Sequence, residues 1–224
     1  MPHATSERYA FFDVDDTLIA VKSMFSFQDF WYDRVGDAAG RAAFEEEMTR
    51  LRGEDAPWEL LNRRYYAHFA GRAVTEVEDA GEAWFQHLET TVPGLFHAPI
   101  VAELRRHQVA GEEPVFVSGS FPALLAPVAD RLGVHHTLST TMEIAAGRYT
   151  GGILPPQTIG AGKATAVRNF LDQRGVPAAE CFAYGDDISD LPMLALVGHP
   201  RVVSGGRGLA AHAATVGWPI LSPH

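Results

Sequence analysis

Carboxylates concentrate in two segments of the chain, and each segment follows a short apolar run. The first is Asp13-Val14-Asp15-Asp16-Thr17, and the second is Gly185-Asp186-Asp187-Ile188-Ser189-Asp190. Clustered carboxylates repel one another and need a cation, and oxygen-only donors favour a hard ion such as Mg²⁺, which pairs with substrate phosphates. Taken alone, each cluster is also typical of a turn or a helix cap, because aspartate commonly begins both.

Two further segments add an anion-binding group and a positive charge. Ser118-Gly119-Ser120 follows an apolar run and offers hydroxyl and backbone N–H groups near the start of the next helix. Lys163 follows Gly160-Ala161-Gly162 and begins another helical pattern. Singly, Ser118 reads as a helix N-cap and Lys163 as a solvated lysine. The ordered set is more specific, because each member falls where a strand ends or a helix begins.

Short apolar runs alternate with helical patterns along most of the chain, which is typical of a parallel sheet covered by helices. The predicted strands are residues 9–12, 115–117, 181–184 and 201–203. Helices are predicted over residues 121–132 and 163–171, and a β-hairpin over residues 142–153. The Gly205-Gly206-Arg207-Gly208 segment lacks dinucleotide and P-loop spacing and is interpreted as a turn.

One stretch breaks this alternation. Between about residues 24 and 95 no strand is convincing, and glycines and prolines divide the segment into about four helices. We therefore expect the α/β class, with a Rossmann-like three-layer core built on a parallel sheet and an inserted all-helical domain. The expected division is residues 1–22 and 96–224 for the core and residues 23–95 for the insertion.

Composition excludes several classes of protein. The chain has 224 residues, of which 46% are hydrophobic, so it can bury a core and is neither fibrous nor disordered. Its net charge of −10 repels nucleic acid, although a small phosphate can still be bound locally. We find neither an export signal in the first residues nor a membrane span, and Cys181 has no cysteine partner, so we expect a cytoplasmic protein.

Together the four motifs resemble those of the haloacid dehalogenase-like (HAD) hydrolase superfamily of aspartyl phosphatases. The likeness is greatest to its phosphoserine-phosphatase-like branch (subfamily IB), in which a helical C1-type cap lies between the first and second motifs. The motifs are DVDDT at residues 13–17, VFVSGS at 115–120, GAGK at 160–163 and GDDISD at 185–190. With the cap, the resemblance covers nearly the whole chain.

The resemblance implies a role for each acidic residue of the reaction. Asp13 is expected to attack phosphorus and become an aspartyl phosphate, and Asp15 to act as general acid and then general base. Mg²⁺ is expected on the Asp13 carboxylate, the Asp15 backbone carbonyl and Asp186. Asp187 stands where the family often has a small residue, so either Asp186 alone or both carboxylates serve the metal, and we favour Asp186.

The resemblance also implies which groups hold the phosphoryl oxygens. Ser118 and the Gly119 N–H are expected to bind them, while Lys163 neutralises both the nucleophile and the phosphate. Asp190 is expected to orient Lys163 or a metal-bound water. The partner is then a small-molecule phosphate ester, without a nucleic acid or a membrane.

Candidate substrate contacts come from Lys22 and from the helical insertion. Phosphoserine phosphatases resemble one another in carrying acidic residues after the first motif, whereas Lys22 here favours a neutral or anionic leaving group. Phe25 and Trp31 are aromatic candidates, and Arg63 and Arg64 are basic ones. Against this, most aromatic residues of such an insertion form its own core, and arginines more often lie on a solvated helix face.

Three other functions remain open at this point. A phosphotransferase or mutase of the same fold would pass the phosphoryl group to a hydroxyl other than that of water. A receiver-like module would also use carboxylates, a hydroxyl and a lysine around Mg²⁺, but its phosphorylated aspartate would stand alone on a middle strand. A dehalogenase fits least, because Asp15, Ser118 and the second acidic cluster serve phosphoryl chemistry.

Overall fold

A computed structural model of the chain describes residues 8–224 and confirms the predicted α/β class. The first seven residues, which the predicted core and the search for an export signal include, lie outside this range. Six parallel strands form one sheet in the order β3-β2-β1-β6-β7-β8, and β4 and β5 form a separate antiparallel hairpin. The strands are β1 (Tyr9–Phe12), β2 (Glu113–Ser118), β3 (His136–Ser139), β4 (Thr141–Ala145), β5 (Arg148–Leu154), β6 (Phe182–Gly185), β7 (His199–Val203) and β8 (Ile220–Leu221).

Helices cover both faces of the sheet, because successive side chains of each strand point to opposite sides. The helices are α1 (Ser23–Val35), α2 (Ala38–Gly53), α3 (Trp58–Ala67), α4 (Val74–Thr91), α5 (Ala98–Ala110), α6 (Pro122–Leu132), α7 (Ala161–Arg174), α8 (Leu191–Leu194) and α9 (Leu209–Val216). On β1, Phe11 packs in one core cluster with α7, α8 and α9, and Phe12 packs in the other with α5, α6 and the insertion. No described helix is both long and apolar enough to span a membrane.

Helices α1 to α4 form the helical insertion between β1 and β2, as the sequence predicts. Their centre is aromatic, and Phe121, from the loop after β2, enters it. The ring centroids of Phe27, Tyr66 and Phe69 lie 6.0, 5.7 and 5.7 Å from that of Phe121. The core of the insertion and the core on this face of the sheet are therefore one continuous cluster.

Close backbone contact also fixes the insertion against the sheet. Helix α4 crosses α6 at Gly81, where a Cβ atom would lie only 2.2 Å from the Ala123 carbonyl oxygen. On the other side the β4–β5 hairpin pairs with the segment between α3 and α4, since the Gly71 and Val74 N–H groups donate to the carbonyls of Tyr149 and Gly147. The insertion is thus attached at several points beyond its two chain connections.

Candidate active site

Three neighbouring strands of the sheet deliver polar residues to one edge. Strands β2, β1 and β6 lie side by side and run parallel, so their carboxyl ends meet. Ser118 ends β2, Asp13 directly follows β1, and Asp186 directly follows β6. The Asp13 N–H donates to the Tyr184 carbonyl at 2.9 Å, which fixes the first aspartate beside β6. The fold therefore brings together the three motifs that the sequence places more than 60 positions apart.

Lys163, in the first turn of α7, joins this group from the side. Its Nζ lies 2.5 Å from Asp13 Oδ1 and 2.6 Å from Asp190 Oδ1. Burial opposes the ammonium charge, but the two carboxylates outweigh it and raise the pKa of Lys163 above its usual value. The lysine is therefore a buried, permanently charged link between the nucleophile candidate and the last motif, rather than a solvated residue.

The oxygen atoms of three buried carboxylates lie within 4.8 Å of one another, on Asp13, Asp186 and Asp190. Both Asp190 oxygens are already occupied, one by Lys163 and the other by the N–H groups of Asp186 and Asp187. Burial and the charges of the neighbouring carboxylates raise the pKa of Asp186. This crowding fits a bound cation. Within residues 8–224, Asp13 Oδ2 and Asp186 Oδ1 share only the Thr17 hydroxyl, at 3.3 and 2.9 Å, so these two carboxylates are less fully engaged than Asp190 and are the ones that can offer an oxygen atom to the ion.

Asp187 faces away from this group. Its oxygens accept hydrogen bonds from Arg207 at 2.9 and 3.2 Å, and it also accepts from the Ser189 N–H. Despite partial burial, these donors lower the pKa of Asp187. The glycine-rich segment is a turn, as predicted, and a Cβ on Gly206 would lie 2.5 Å from Asp186 Oδ2, so only glycine fits beside that carboxylate.

Asp15 sits at the mouth of the acidic group, next to the first residue of the insertion. The Ser23 hydroxyl lies 3.0 Å from Asp15 Oδ2 and 3.0 Å from Ser120 Oγ. Burial, helped by the charge of Asp13, raises the pKa of Asp15 to about 7. Its other carboxyl oxygen is buried and has no hydrogen-bond partner among residues 8–224. The group can therefore hold or release a proton near neutral pH.

The loop after β2 keeps one hydroxyl proton unengaged and is hydrogen-bonded to the insertion. The Ser120 N–H donates to Ser118 Oγ at 3.0 Å, which leaves the Ser118 hydroxyl proton free for a ligand. The Gly119 carbonyl accepts from Asn62 Nδ2 at 2.9 Å and from the Tyr66 hydroxyl at 2.6 Å. Sequence analysis missed this contact, because nothing in the spacing connects α3 with the loop.

A cavity lies between these polar residues and the helical insertion. We call the polar group formed by Asp13, Asp15, Ser118, Lys163 and Asp186 the floor. We call the opposite wall the roof, which is apolar and consists of Met24, Phe25, Trp58, Leu61 and Tyr65.

The structure separates the candidate substrate contacts. Lys22 and Phe25 line the cavity, and Lys22 is paired with Asp16 at 2.6 Å. Trp31 does not line it; the ring is buried in the aromatic centre of the insertion, as the alternative interpretation of such aromatics predicts.

The two arginine candidates also lie outside the cavity lining. Arg63 contacts Gln157 at 3.4 Å, and Arg64 pairs with Glu47 at 2.6 Å on the exposed side of α3. Leu61 and Asn62 do line the cavity, although sequence analysis overlooked both. The helical periodicity of α3 could have found them, because they share the buried face of that helix with Tyr65 and Tyr66.

Comparison with known proteins agrees with this geometry. The sequence model of the family described as haloacid dehalogenase-like hydrolase matches residues 10–195. The chain therefore belongs to the haloacid dehalogenase-like hydrolases. Within them it falls in the phosphoserine-phosphatase-like branch, and it is a phosphatase.

Two relatives and one solved structure illustrate this placement. The Mycobacterium tuberculosis (strain H37Rv) protein named probable phosphatase Rv3661 is 33% identical, over 95% of this chain and 74% of its own. The phosphoserine phosphatase SerB1 of the same strain is 31% identical, over 94% and 69%. A Bordetella pertussis Tohama I protein of unknown function superposes with a TM-score of 0.86 at 26% identity, covering 98% of this chain and all of the other.

Proposed function

We propose that this phosphatase hydrolyses a small-molecule phosphate monoester through an aspartyl phosphate on Asp13. The observation that carries the proposal is the buried ion pair of Lys163 with Asp13, at the point where three strand ends meet. A cation held against one oxygen of a carboxylate leaves the other available for attack. The proposed division is a catalytic core of residues 1–22 and 96–224 and a cap of residues 23–95.

Hydrolysis then runs in two steps. An Asp13 carboxylate oxygen attacks phosphorus, the ester P–O bond breaks, and Asp15 gives its proton to the departing alkoxide. A water molecule next attacks the aspartyl phosphate, Asp15 takes one of its protons, and the Asp13–phosphorus bond breaks to release inorganic phosphate. Ser118, the Gly119 N–H and Lys163 hold the phosphoryl oxygens through both steps.

The residues present fit a magnesium ion. The donor set is all oxygen, and the carboxylates of Asp13 and Asp186 are crowded enough to raise the pKa of the latter. These two carboxylates, with the Asp15 backbone carbonyl that the resemblance implies, would hold the ion. Bound Mg²⁺ supplies positive charge that lets an anionic nucleophile approach an anionic phosphate. A cytoplasmic location is part of the proposal and is supported by the single, buried Cys181.

Phosphate release from a panel of esters tests the proposal. We expect release with Mg²⁺, none with EDTA, and none from Asp13→Asn under either condition. Asp130→Asn, an equal change of charge on the exposed face of α6, is the control and should behave as wild type. Trapping of an acyl phosphate at Asp13 would confirm the intermediate, and metal-dependent release that survives in Asp13→Asn would contradict it.

Product analysis separates hydrolysis from transfer to an alcohol. With a hydroxyl acceptor added, we expect the phosphate to appear free in solution. Phosphate that appears instead on the acceptor would identify a phosphotransferase, and a stable phosphorylated protein without turnover would identify a receiver-like module.

A further inference from the structure

The roof determines what can accompany the phosphate into the cavity, and it is built almost wholly of apolar groups. Three of its side chains are aromatic and two are aliphatic, and Ile159 from the core extends the same surface. Leu61 and Tyr65 are 4% and 1% exposed, so their packing within α3 and its neighbours fixes their positions. Such a wall gains free energy by covering apolar surface, whereas a charge buried against it without a counter-charge costs free energy.

Charged groups of the cavity above the floor are all paired, as far as residues 8–224 show. Lys22 Nζ lies 2.6 Å from Asp16 Oδ2. Arg207 donates twice to Asp187. Each pair is neutral as a unit, so a charged leaving group would have to share a partner that another charge already engages.

Arg207 makes a second contact besides its ion pair with Asp187: its guanidinium lies 4.9 Å from the centre of the Trp58 ring. This cation–π contact joins the core to the insertion and holds one side of the roof in place. The arginine thus contributes to the wall rather than to charge recognition. The pairing of Lys22 likewise refines the sequence-based expectation of a neutral or anionic leaving group in favour of a neutral one.

We infer that the cavity selects phosphate monoesters whose alcohol is uncharged and apolar. The inference rests on the proposed hydrolysis, and it concerns only the part of the ester that faces the roof. An ammonium or carboxylate buried there would lack a free counter-charge, whereas a ring would replace water against Phe25, Trp58 and Leu61.

Four esters test the inference: benzyl phosphate, ethyl phosphate, O-phosphoserine and 3-phosphoglycerate. We expect kcat/KM for benzyl phosphate to exceed that for each charged ester by at least about 100-fold, with ethyl phosphate in between. Equal or faster hydrolysis of a charged ester would overturn the inference and leave the proposed function intact. No release from any of the four, with release from another ester of the panel, would overturn the inference alone; no release from the whole panel would overturn the proposed function and the inference with it.

Two neighbouring leucines of α3 give a matched pair of variants. Leu61 lines the cavity and is 4% exposed, while Leu60 does not line it and is 38% exposed. We expect Leu61→Lys to lower kcat/KM for benzyl phosphate about 100-fold and for ethyl phosphate much less, and Leu60→Lys to match wild type.

A gentler change at the same position covers the case in which Leu61→Lys does not fold. Leu61→Ala should reduce the preference for benzyl over ethyl phosphate by about tenfold. An unchanged preference in a folded Leu61→Ala variant would contradict the inference, because the side chain would then not contact the leaving group.

Discussion

The floor and the roof of the cavity differ in almost every physical property. The floor gathers three carboxylates, a hydroxyl and one buried ammonium from the ends of three strands and the start of α7. The roof gathers apolar side chains from two helices of the insertion. In the proposed reaction the floor meets the phosphoryl group, which all substrates share, and the roof meets the leaving group, which varies. Changes to the floor should therefore affect every ester alike, and changes to the roof should affect them unequally.

Lys163→Met gives the largest expected effect on the floor. We expect kcat to fall by about 1,000-fold or more, and by the same factor for benzyl and ethyl phosphate, because the lost charge faces only the phosphoryl group. Asp13 and Asp190 would also lose their shared counter-charge, so the free energy of unfolding should fall by about 3–5 kcal/mol. Steady-state kinetics and urea unfolding measure both. If the loss of kcat differed more than tenfold between the two esters, the floor would not act on the phosphoryl group alone, and the proposed separation of roles between floor and roof would be wrong.

Gly81→Ala tests how the roof is held over the floor. The added Cβ would meet the Ala123 backbone oxygen, which cannot move aside as a side chain can, so we expect a loss of about 1–3 kcal/mol in urea unfolding. Gly53→Ala is the matched control, because it also lies in a helix of the insertion and a Cβ there has no atom within 4 Å. That variant should be as stable as wild type or slightly more so. Equal behaviour of the two variants would mean that α4 does not dock tightly on α6.

Tyr66→Phe tests a contact between the insertion and the loop next to the floor. Loss of a donor to the Gly119 carbonyl should reduce the stability by about 1 kcal/mol. It should also lower kcat/KM up to about tenfold for all esters equally, because the loop directly follows Ser118. The adjacent Tyr65 hydroxyl has no partner in the part of the chain that the structure describes, so Tyr65→Phe should leave the stability within about 0.5 kcal/mol. A selective loss on benzyl phosphate in Tyr66→Phe would assign that tyrosine to the roof instead.

The smallest expected effect lies behind the floor, at His107. Its ring bonds the Tyr184 hydroxyl at 2.8 Å and Glu112 at 2.6 Å, and burial lowers the pKa of the imidazole despite the glutamate. Below about pH 6.5 the unfolded chain therefore binds a proton at this position that the folded one does not, so the contribution of His107 to the free energy of unfolding should fall from pH 7 to pH 5. Asp15 and Asp186, whose pKa values are raised, contribute in the opposite direction, so we compare the slope of wild type with that of His107→Gln, which should lack the histidine's contribution. Urea unfolding across the pH range measures it, and an unchanged slope would assign the dependence to other groups.

The residues of the floor could be named from the sequence because the ends of strands have a recognisable local pattern. Each of these residues follows an apolar run or a glycine turn: Asp13, Ser118, Lys163 and Asp186. The parallel pairing of the strands then brings their ends to the same edge of the sheet. Sequence reasoning predicted the number of helices in the insertion for the same local reasons. It did not find β3 or β8, because one is half-buried and four residues long and the other has only two residues.

Of the roof, sequence reasoning named only Phe25, and it missed the rest for a different physical reason. Asn62 contacts the Gly119 carbonyl across 57 positions of sequence, and Arg207 reaches Trp58 across a still longer separation. Such contacts depend on the rotation of α3 about its own axis over the sheet. Hydrophobic periodicity predicts which face of the helix is buried, but it does not determine this rotation closely enough to predict individual contacts. For the same reason Trp31 was a plausible substrate contact in sequence and is a core residue in the structure.

Phe121 bears on how this enzyme can be re-engineered. The residue follows the anion-binding loop directly, yet its ring is seated among Phe27, Tyr66 and Phe69 of the insertion. Suppose that the insertion is exchanged for that of a relative. The Phe121 ring would then lose the aromatic side chains that surround it, and the loop that precedes it would shift. A functional chimera must therefore transplant residues 119–123 together with the insertion, so that the unit of exchange is larger than the segment between the first two motifs.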